Sequence, residues 1–154
     1  MEELQQYPSW KQAVTDFVAG NPKPGDVITE DWKHIHFGIR PPAYADSETW
    51  KAYQLRMLNA FNSFQATLLE DHQVHLKSDR CGGHTVLAPQ EQTRSAMEGC
   101  NVGIKKALKK SHTKLENVAV SELTSDERKE HTDAQVRLSM AGSMFKKVKR
   151  LALS

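Results

Sequence analysis

Residues 75–89, HLKSDRCGGHTVLAP, hold the densest group of side chains that could do chemistry. With His72 just before it, the segment offers His75, Cys81 and His84 as zinc ligands by residue type. On strands, however, residues three apart point to opposite faces, so these side chains would not converge on one ion. The usual spacing of two-cysteine, two-histidine sites is also absent. The sequence therefore predicts no metal site here.

A cysteine nucleophile paired with a histidine base is the second chemistry that these residue types allow. Cys81 with His84, or Cys100 with any histidine, has the required groups. No third group that would orient the base is recognisable, and no nucleophile elbow, Walker-type loop, dinucleotide-binding glycine pattern or HExxH motif occurs. Because an active site assembles several roles, we predict a protein that is not an enzyme, with no catalytic residue and no cofactor.

The same segment has the features of a β-hairpin. HQVHLKS (72–78) and HTVLAP (84–89) mix β-branched with alternating polar and apolar residues, which is typical of strands. DRCGG (79–83) lies between them and supplies glycines that can take positive φ in a tight turn. We therefore expect two short strands joined at a glycine-containing tip.

Three helices are predicted before this hairpin. Ser9 is a candidate cap for the first, which ends before a run with two prolines and two glycines. Thr29 is a candidate cap for a short second helix, whose inward side is expected to be Trp32 and Ile35. The third, over 47–70, has the strongest periodicity. Its apolar stripe is expected to be core and consists of Trp50, Tyr53, Met57, Phe61, Phe64 and Leu68.

Two long amphipathic helices are predicted after the hairpin, over 90–118 and 125–150. Thr124 and Glu127 form a capping box for the second of them. The short connection favours an antiparallel pair. The apolar stripes expected to form its sides are Met97, Ile104, Leu108, Leu115 and Val118 in the first helix, and Val136, Met140, Met144, Val148 and Leu151 in the second.

The predicted fold class is α+β and mostly helical. Residues 1–89 are expected to form a helical module with one β-hairpin, and residues 90–154 a basic antiparallel helical hairpin. The order of short helix, short helix, longer helix and glycine-tipped hairpin, over about residues 9–88, resembles a winged-helix module. Winged helices bind nucleic acid and also dock proteins, so the resemblance by itself leaves both functions open.

The resemblance implies particular contacts to nucleic acid. Lys77 and Arg80, near the hairpin tip, would meet phosphates, while Lys51 and Arg56 of the third helix would face a groove of the nucleic acid.

Charge is spread unevenly along the chain. The formal net charge is +2, but residues 1–89 carry 8 basic and 11 acidic residues and residues 90–154 carry 13 and 8. Such asymmetry points to a polyanion or an acidic protein as partner. Interhelical ion pairs of the first basic cluster, KKALKK (105–110), with Glu130 and Asp133 are the alternative. The candidate phosphate contacts in this half are Lys105, Lys109, Lys146, Lys147, Lys149 and Arg150.

No apolar run approaches the roughly 20 residues of a membrane span, so no membrane partner is expected. Only two cysteines occur, Cys81 and Cys100, which favours a reducing cytoplasm. The sequence thus predicts a non-enzymatic nucleic-acid-binding regulatory or accessory protein, with double-stranded DNA as the expected ligand. Its small size and lack of catalytic motifs suit a factor encoded by a phage or mobile element. The alternative is a protein-binding module, an inhibitor of a host enzyme or a dimeric adaptor, that uses the helical pair.

Overall fold

The computed structural model describes residues 9–151, and the side chain of Leu151 lies outside that description. The chain divides into two compact units, Met1–Ser95 and Ala96–Ser154. A short 3₁₀ turn, Val120–Glu122, follows the fourth helix. The other elements, in chain order, are α1 (Ser9–Ala19), β1 (Val27–Ile28), α2 (Glu30–Phe37), α3 (Ser47–His72), β2 (Leu76–Ser78), β3 (His84–Val86), α4 (Pro89–Glu116) and α5 (Ser125–Leu151). The predicted mostly helical α+β class is confirmed at this level.

The core of the first unit lies where α1, α2 and α3 meet. Phe64 of α3 is fully buried, and its ring lies 5.4 to 5.9 Å, centroid to centroid, from the rings of Phe17, Trp32 and Phe37. Each well-placed aromatic pair adds about 0.5–1.5 kcal/mol beyond the burial of its surface. The α3 stripe is buried as predicted at Met57, Phe61, Phe64 and Leu68, whereas Trp50, which was predicted to belong to the core, is 43% exposed.

The inward side of α2 differs from the prediction. Ile35 is 75% exposed, whereas Lys33 and Phe37, four residues apart on the same side, are buried and Trp32 is half-buried. The predicted cap is confirmed, because the Thr29 side chain accepts a hydrogen bond from the Trp32 backbone N–H at 3.1 Å.

The predicted hairpin is confirmed and belongs to a three-stranded antiparallel sheet of order β1-β3-β2. In the β2–β3 ladder Lys77 lies opposite Thr85. The strand β1, which the sequence pattern did not indicate, pairs with the other edge of β3 and buries Ile28. Since β1 leads directly into α2, the sheet is attached to the helical core.

In the second unit, residues of α4 and α5 line one common groove, and the predicted capping box at the start of α5 is confirmed. The Thr124 backbone N–H donates to the Glu127 carboxylate at 2.8 Å, and the Glu127 N–H donates to the Thr124 hydroxyl at 3.4 Å. The Thr124 hydroxyl also donates to the Glu127 carboxylate, at 2.9 Å, and the two bonds that this carboxylate accepts from Thr124 lower the pKa of Glu127 below its ordinary value.

The inner face of α5 is not the predicted one. Its half-buried residues include Leu138, Gly142 and Phe145, whereas Met140 is 62% exposed and Met144 is 68% exposed. Leu138 and Met140 are two residues apart, which separates them by about 200° around a helix. The stripe of Val136, Met140, Met144 and Val148 therefore lies on the outer side of α5, and that prediction is wrong.

On α4, Leu108 and Leu115 are half-buried, in agreement with the predicted inner stripe. Met97 and Ile104, which the prediction assigned to the same stripe, are exposed. No residue of this unit is fully buried among those whose side chains are described. The apolar side chains of α4 and α5 are therefore at most partly removed from water.

Leu138→Ala and Met140→Ala test which side of α5 faces α4. The first change removes half-buried apolar surface and should lower the free energy of unfolding of the helical pair by about 1–2 kcal/mol. The second should change it by less than about 0.5 kcal/mol, because its side chain is already in water. Thermal unfolding followed by far-ultraviolet circular dichroism measures both. A larger loss for Met140→Ala than for Leu138→Ala would contradict the assigned inner face.

Candidate nucleic-acid interface

The tip of the hairpin is a closed turn organised by Asp79. One of its carboxylate oxygens accepts hydrogen bonds from the backbone N–H groups of Cys81 and Gly83, each at 2.8 Å. A Cβ atom at Gly83 would meet this carboxylate, so a larger residue there would force the Asp79 side chain to move. Lys77 and Arg80 are exposed beside and on this turn, where solvent or a ligand can reach them.

A buried lysine of α2 holds the tip against the helices. Lys33 is only 4% exposed, and its ammonium donates hydrogen bonds to the Gly82 backbone carbonyl and to a Glu30 carboxylate oxygen, both at 2.7 Å. The ammonium also lies 4.7 Å from the centroid of the Phe61 ring. The hydrogen bonds and the ring contact offset the cost of removing the charge from water. Lys33 thus connects α2 and α3 to the tip of the hairpin.

His84 of β3 lies beside this lysine and packs against Phe61, with ring centroids 4.2 Å apart and ring planes inclined at 46°. Its Nδ1 atom is buried and has no hydrogen-bond partner among the described residues. Burial, and secondarily the positive charge of Lys33, lower the pKa of His84 below its ordinary value, while Glu30 and Asp79 oppose the shift. The imidazole is therefore kept neutral near neutral pH.

Lys33→Met tests the anchoring of the tip. Methionine keeps most of the apolar stem but leaves the Gly82 carbonyl and Glu30 without their donor, so the free energy of unfolding should fall by about 2 kcal/mol. Urea unfolding followed by tryptophan fluorescence measures this unit, because Trp10, Trp32 and Trp50 all lie in it. Lys51→Met, at an exposed position of α3, is the control and should change little. Equal midpoints for the two variants would contradict the anchoring role.

His84 should make the first unit less stable in acid. Below about pH 6.5 the unfolded chain binds a proton at this histidine, whereas the folded chain resists it until its lowered pKa is reached. The free energy of unfolding should therefore fall as the pH drops through this window. His84→Phe should lose part of the difference between urea midpoints measured at about pH 7.5 and about pH 5.5. His75→Gln in the same unit is the matched control, and an unchanged difference in His84→Phe would refute the assignment.

Lys51 and Arg56 are both exposed on α3. Arg56 borders a shallow hollow of about 320 Å³ together with Trp10 and Asn59. Leu55 and Leu58 are exposed beside them, so this side of the helix is partly apolar. The exposure of the two basic residues leaves the expected nucleic-acid contacts of α3 as a prediction.

The second unit contains a groove of about 460 Å³ between α4 and α5. Leu108, Leu138 and Phe145 give it an apolar lining, and Ser139, Gly142 and Ser143 add small residues. The titratable side chains that line it are Lys105, Lys109 and His112 from α4 and Lys146 and Lys149 from α5. Four of the six predicted phosphate contacts of this half are thereby brought to one groove.

Among the described residues, no carboxylate lines this groove. Glu130 and Asp133, the alternative partners of the first cluster, border a different hollow together with Lys129 and Arg137. None of the lysines of residues 105–110 forms an ion pair in the part of the chain that the structure describes. The interhelical ion pairs considered from the sequence are therefore not formed.

Two predicted contacts lie outside the groove lining. Lys147 and Arg150 are exposed on α5 but do not line the groove. Spacing explains Lys147, since it lies about 100° around the helix from Lys146. Conversely, the sequence reading missed Phe145 and Gly142, although Leu138, Gly142 and Phe145 recur at helical steps of four and three.

Sequence reasoning also missed Lys33 and assigned no structural role to His84. The available signal was the position of Lys33 four residues before Phe37, on one face of α2. No group of three or more histidine, cysteine, aspartate or glutamate side chains in residues 9–151 could hold a metal ion. Cys81 and Cys100 are both exposed free thiols.

Comparisons of the chain with protein-family models, with curated proteins and with solved structures gave no match. Within the described residues, no helix has both the length and the apolar character needed to cross a bilayer.

Proposed function

We propose that this protein binds nucleic acid as a non-enzymatic regulatory or accessory factor, and that the groove between α4 and α5 is its main phosphate-contacting surface. One observation carries the proposal. Lysines from two segments far apart in the sequence line both sides of one groove, and no carboxylate of residues 9–151 lines it with them. Ammonium groups placed in this way can neutralise successive phosphates and release the counterions condensed on them.

The first unit supports the same function. Its elements follow one another as α1, β1, α2, α3, β2 and β3, and the sheet order is β1-β3-β2, which is compatible with a winged-helix-like module. Lys77 and Arg80 are exposed at the hairpin. Lys33 of α2 holds the tip of this hairpin through its hydrogen bond to the Gly82 carbonyl. In this proposal the hairpin adds phosphate contacts to those of the groove.

The charge of the whole chain is too small to drive binding by itself. The net charge is +2, so attraction to a polyanion depends on local clusters of lysine. We therefore expect sequence-independent binding that is modest at physiological salt and falls steeply as salt rises. The two free thiols suit the reducing cytoplasm that we infer as the place of action.

The experiment is fluorescence anisotropy of labelled duplex DNA, single-stranded DNA and RNA over a salt series. Changing Lys105, Lys109, Lys146 and Lys149 together to glutamine should weaken binding and reduce the slope of log affinity against log salt by about 3, since each phosphate contact contributes about 0.7–0.9. The matched control removes four other lysines of α4 and α5, Lys106, Lys110, Lys114 and Lys129, none of which lines the groove.

Equal weakening by the two sets of changes would show that only total charge matters, which contradicts the groove as the contact surface. No binding of any of the three nucleic acids at about 50 mM salt, where phosphate contacts are strong, would refute the function itself.

A second candidate function is protein binding through the outer face of α5. Val136, Met140, Met144 and Val148 are all more than half exposed and lie four residues apart. Arg137 and Lys147 flank this stripe, so an acidic protein with an apolar face is the partner that it would suit. Binding that resists salt, or a mass that rises with concentration in light scattering, would favour this candidate or a homodimer.

A further inference from the structure

We infer that the groove between α4 and α5 receives a single strand of nucleic acid, with its bases against the apolar floor and its phosphates at the lysines. This inference rests on the proposed function and specifies which form of nucleic acid the groove takes. It departs from the duplex DNA expected from the sequence.

The floor of the groove is apolar and open. Leu108, Leu138 and Phe145 are half-buried, so each still presents apolar surface to the groove. A Cβ atom built on Gly142 would meet no atom within 4 Å, which leaves room above the helix backbone at that point. Flat apolar groups are the ligands that such a floor can remove from water.

The rims of the groove are cationic along both helices. Lys105 and Lys109 are one turn apart on α4, and Lys146 and Lys149 are about one turn apart on α5. The hydroxyls of Ser139 and Ser143, which also line the groove, have no hydrogen-bond partner among the described residues. The groove thus offers charges for a backbone, an apolar floor for rings and free hydroxyls for polar edges.

A duplex cannot use these features together. Its phosphates lie on the outside and its bases are stacked within, so the apolar floor would face charged backbone and stay uncovered. A single strand can turn its bases toward the floor while its phosphates reach the lysines. Proteins that bind single strands commonly combine a positively charged groove with an aromatic surface for bases, and Phe145 supplies the aromatic ring here. Binding should therefore be tolerant of sequence.

The test compares labelled oligothymidylate and oligouridylate of about 16 nucleotides, the upper site size of small single-strand-binding folds, with a mixed-sequence duplex of equal length. Full-length protein is used, and polyglutamate serves as a competitor that has charge but no bases. Two variants alter the floor and keep every lysine. Phe145→Leu removes the aromatic ring. Gly142→Leu fills the open space, and leucine has a higher helix propensity than the glycine it replaces.

The controls separate binding from folding. Gly103→Leu introduces the same side chain at an exposed glycine of α4 that does not line the groove and where an added Cβ also meets nothing. Circular dichroism of each variant reports whether the helical pair is intact. Gly142→Leu keeps the test informative if Phe145→Leu weakens the pair.

The protein should bind the single strands more tightly than the duplex. Phe145→Leu should weaken single-strand binding about fivefold or more, the range expected for a lost base–aromatic stack. Gly142→Leu should also weaken it, Gly103→Leu should not, and polyglutamate should compete poorly.

Equal affinity for single strands and duplex, or floor variants that bind single strands normally, would overturn this inference and leave nucleic-acid binding intact. Competition by polyglutamate as strong as that of the oligonucleotides would also overturn it, since the groove would then take acidic chains in general. Failure to bind any nucleic acid would remove the proposed function as well.

Discussion

The first unit depends on one ammonium group kept out of water. Lys33 sits under the hairpin, where it bonds the Gly82 carbonyl and Glu30 and lies near the Phe61 ring. A buried cation is tolerated only where its donors are satisfied, so the turn, α2 and α3 must keep their relative positions. The same charge contributes to the lowered pKa of His84. The protonation of this histidine is therefore coupled to the lysine that holds the tip. The hairpin is therefore part of the core structure of this unit.

Features that follow from local rules could be predicted from the sequence. The Thr29 cap, the Thr124–Glu127 capping box and the glycine-containing hairpin each depend on a few neighbouring residues, and all three are present. The inner face of α5 could not be predicted in this way. Methionine and valine give the stronger periodic signal, yet the half-buried side of α5 is the one that carries Leu138, Gly142 and Phe145. Helix spacing identifies a stripe, but only packing decides which stripe is covered.

The candidate site could likewise be predicted only in part from the sequence. The sequence indicated that lysines matter in the second half, because charge composition is visible without a structure. It did not indicate which lysines share a surface, since this depends on how α4 and α5 align. The apolar floor was also hidden, because its residues are ordinary members of two amphipathic helices. Four ammonium groups around one groove repel one another, and no carboxylate of the described part of the chain lies among them, so a bound anion would relieve the repulsion.

The two thiols also affect how the molecule can be handled. Cys81 lies at the hairpin tip and Cys100 lies on α4, both exposed and one in each unit. With two exposed thiols per chain, air oxidation can link molecules into linear or cyclic disulfide oligomers. A mass measured without reductant would then reflect disulfide cross-linking and not non-covalent self-association. The same pair of positions accepts a donor and an acceptor dye without any engineered cysteine, so energy transfer between them can follow the distance between the hairpin and the helical pair in solution.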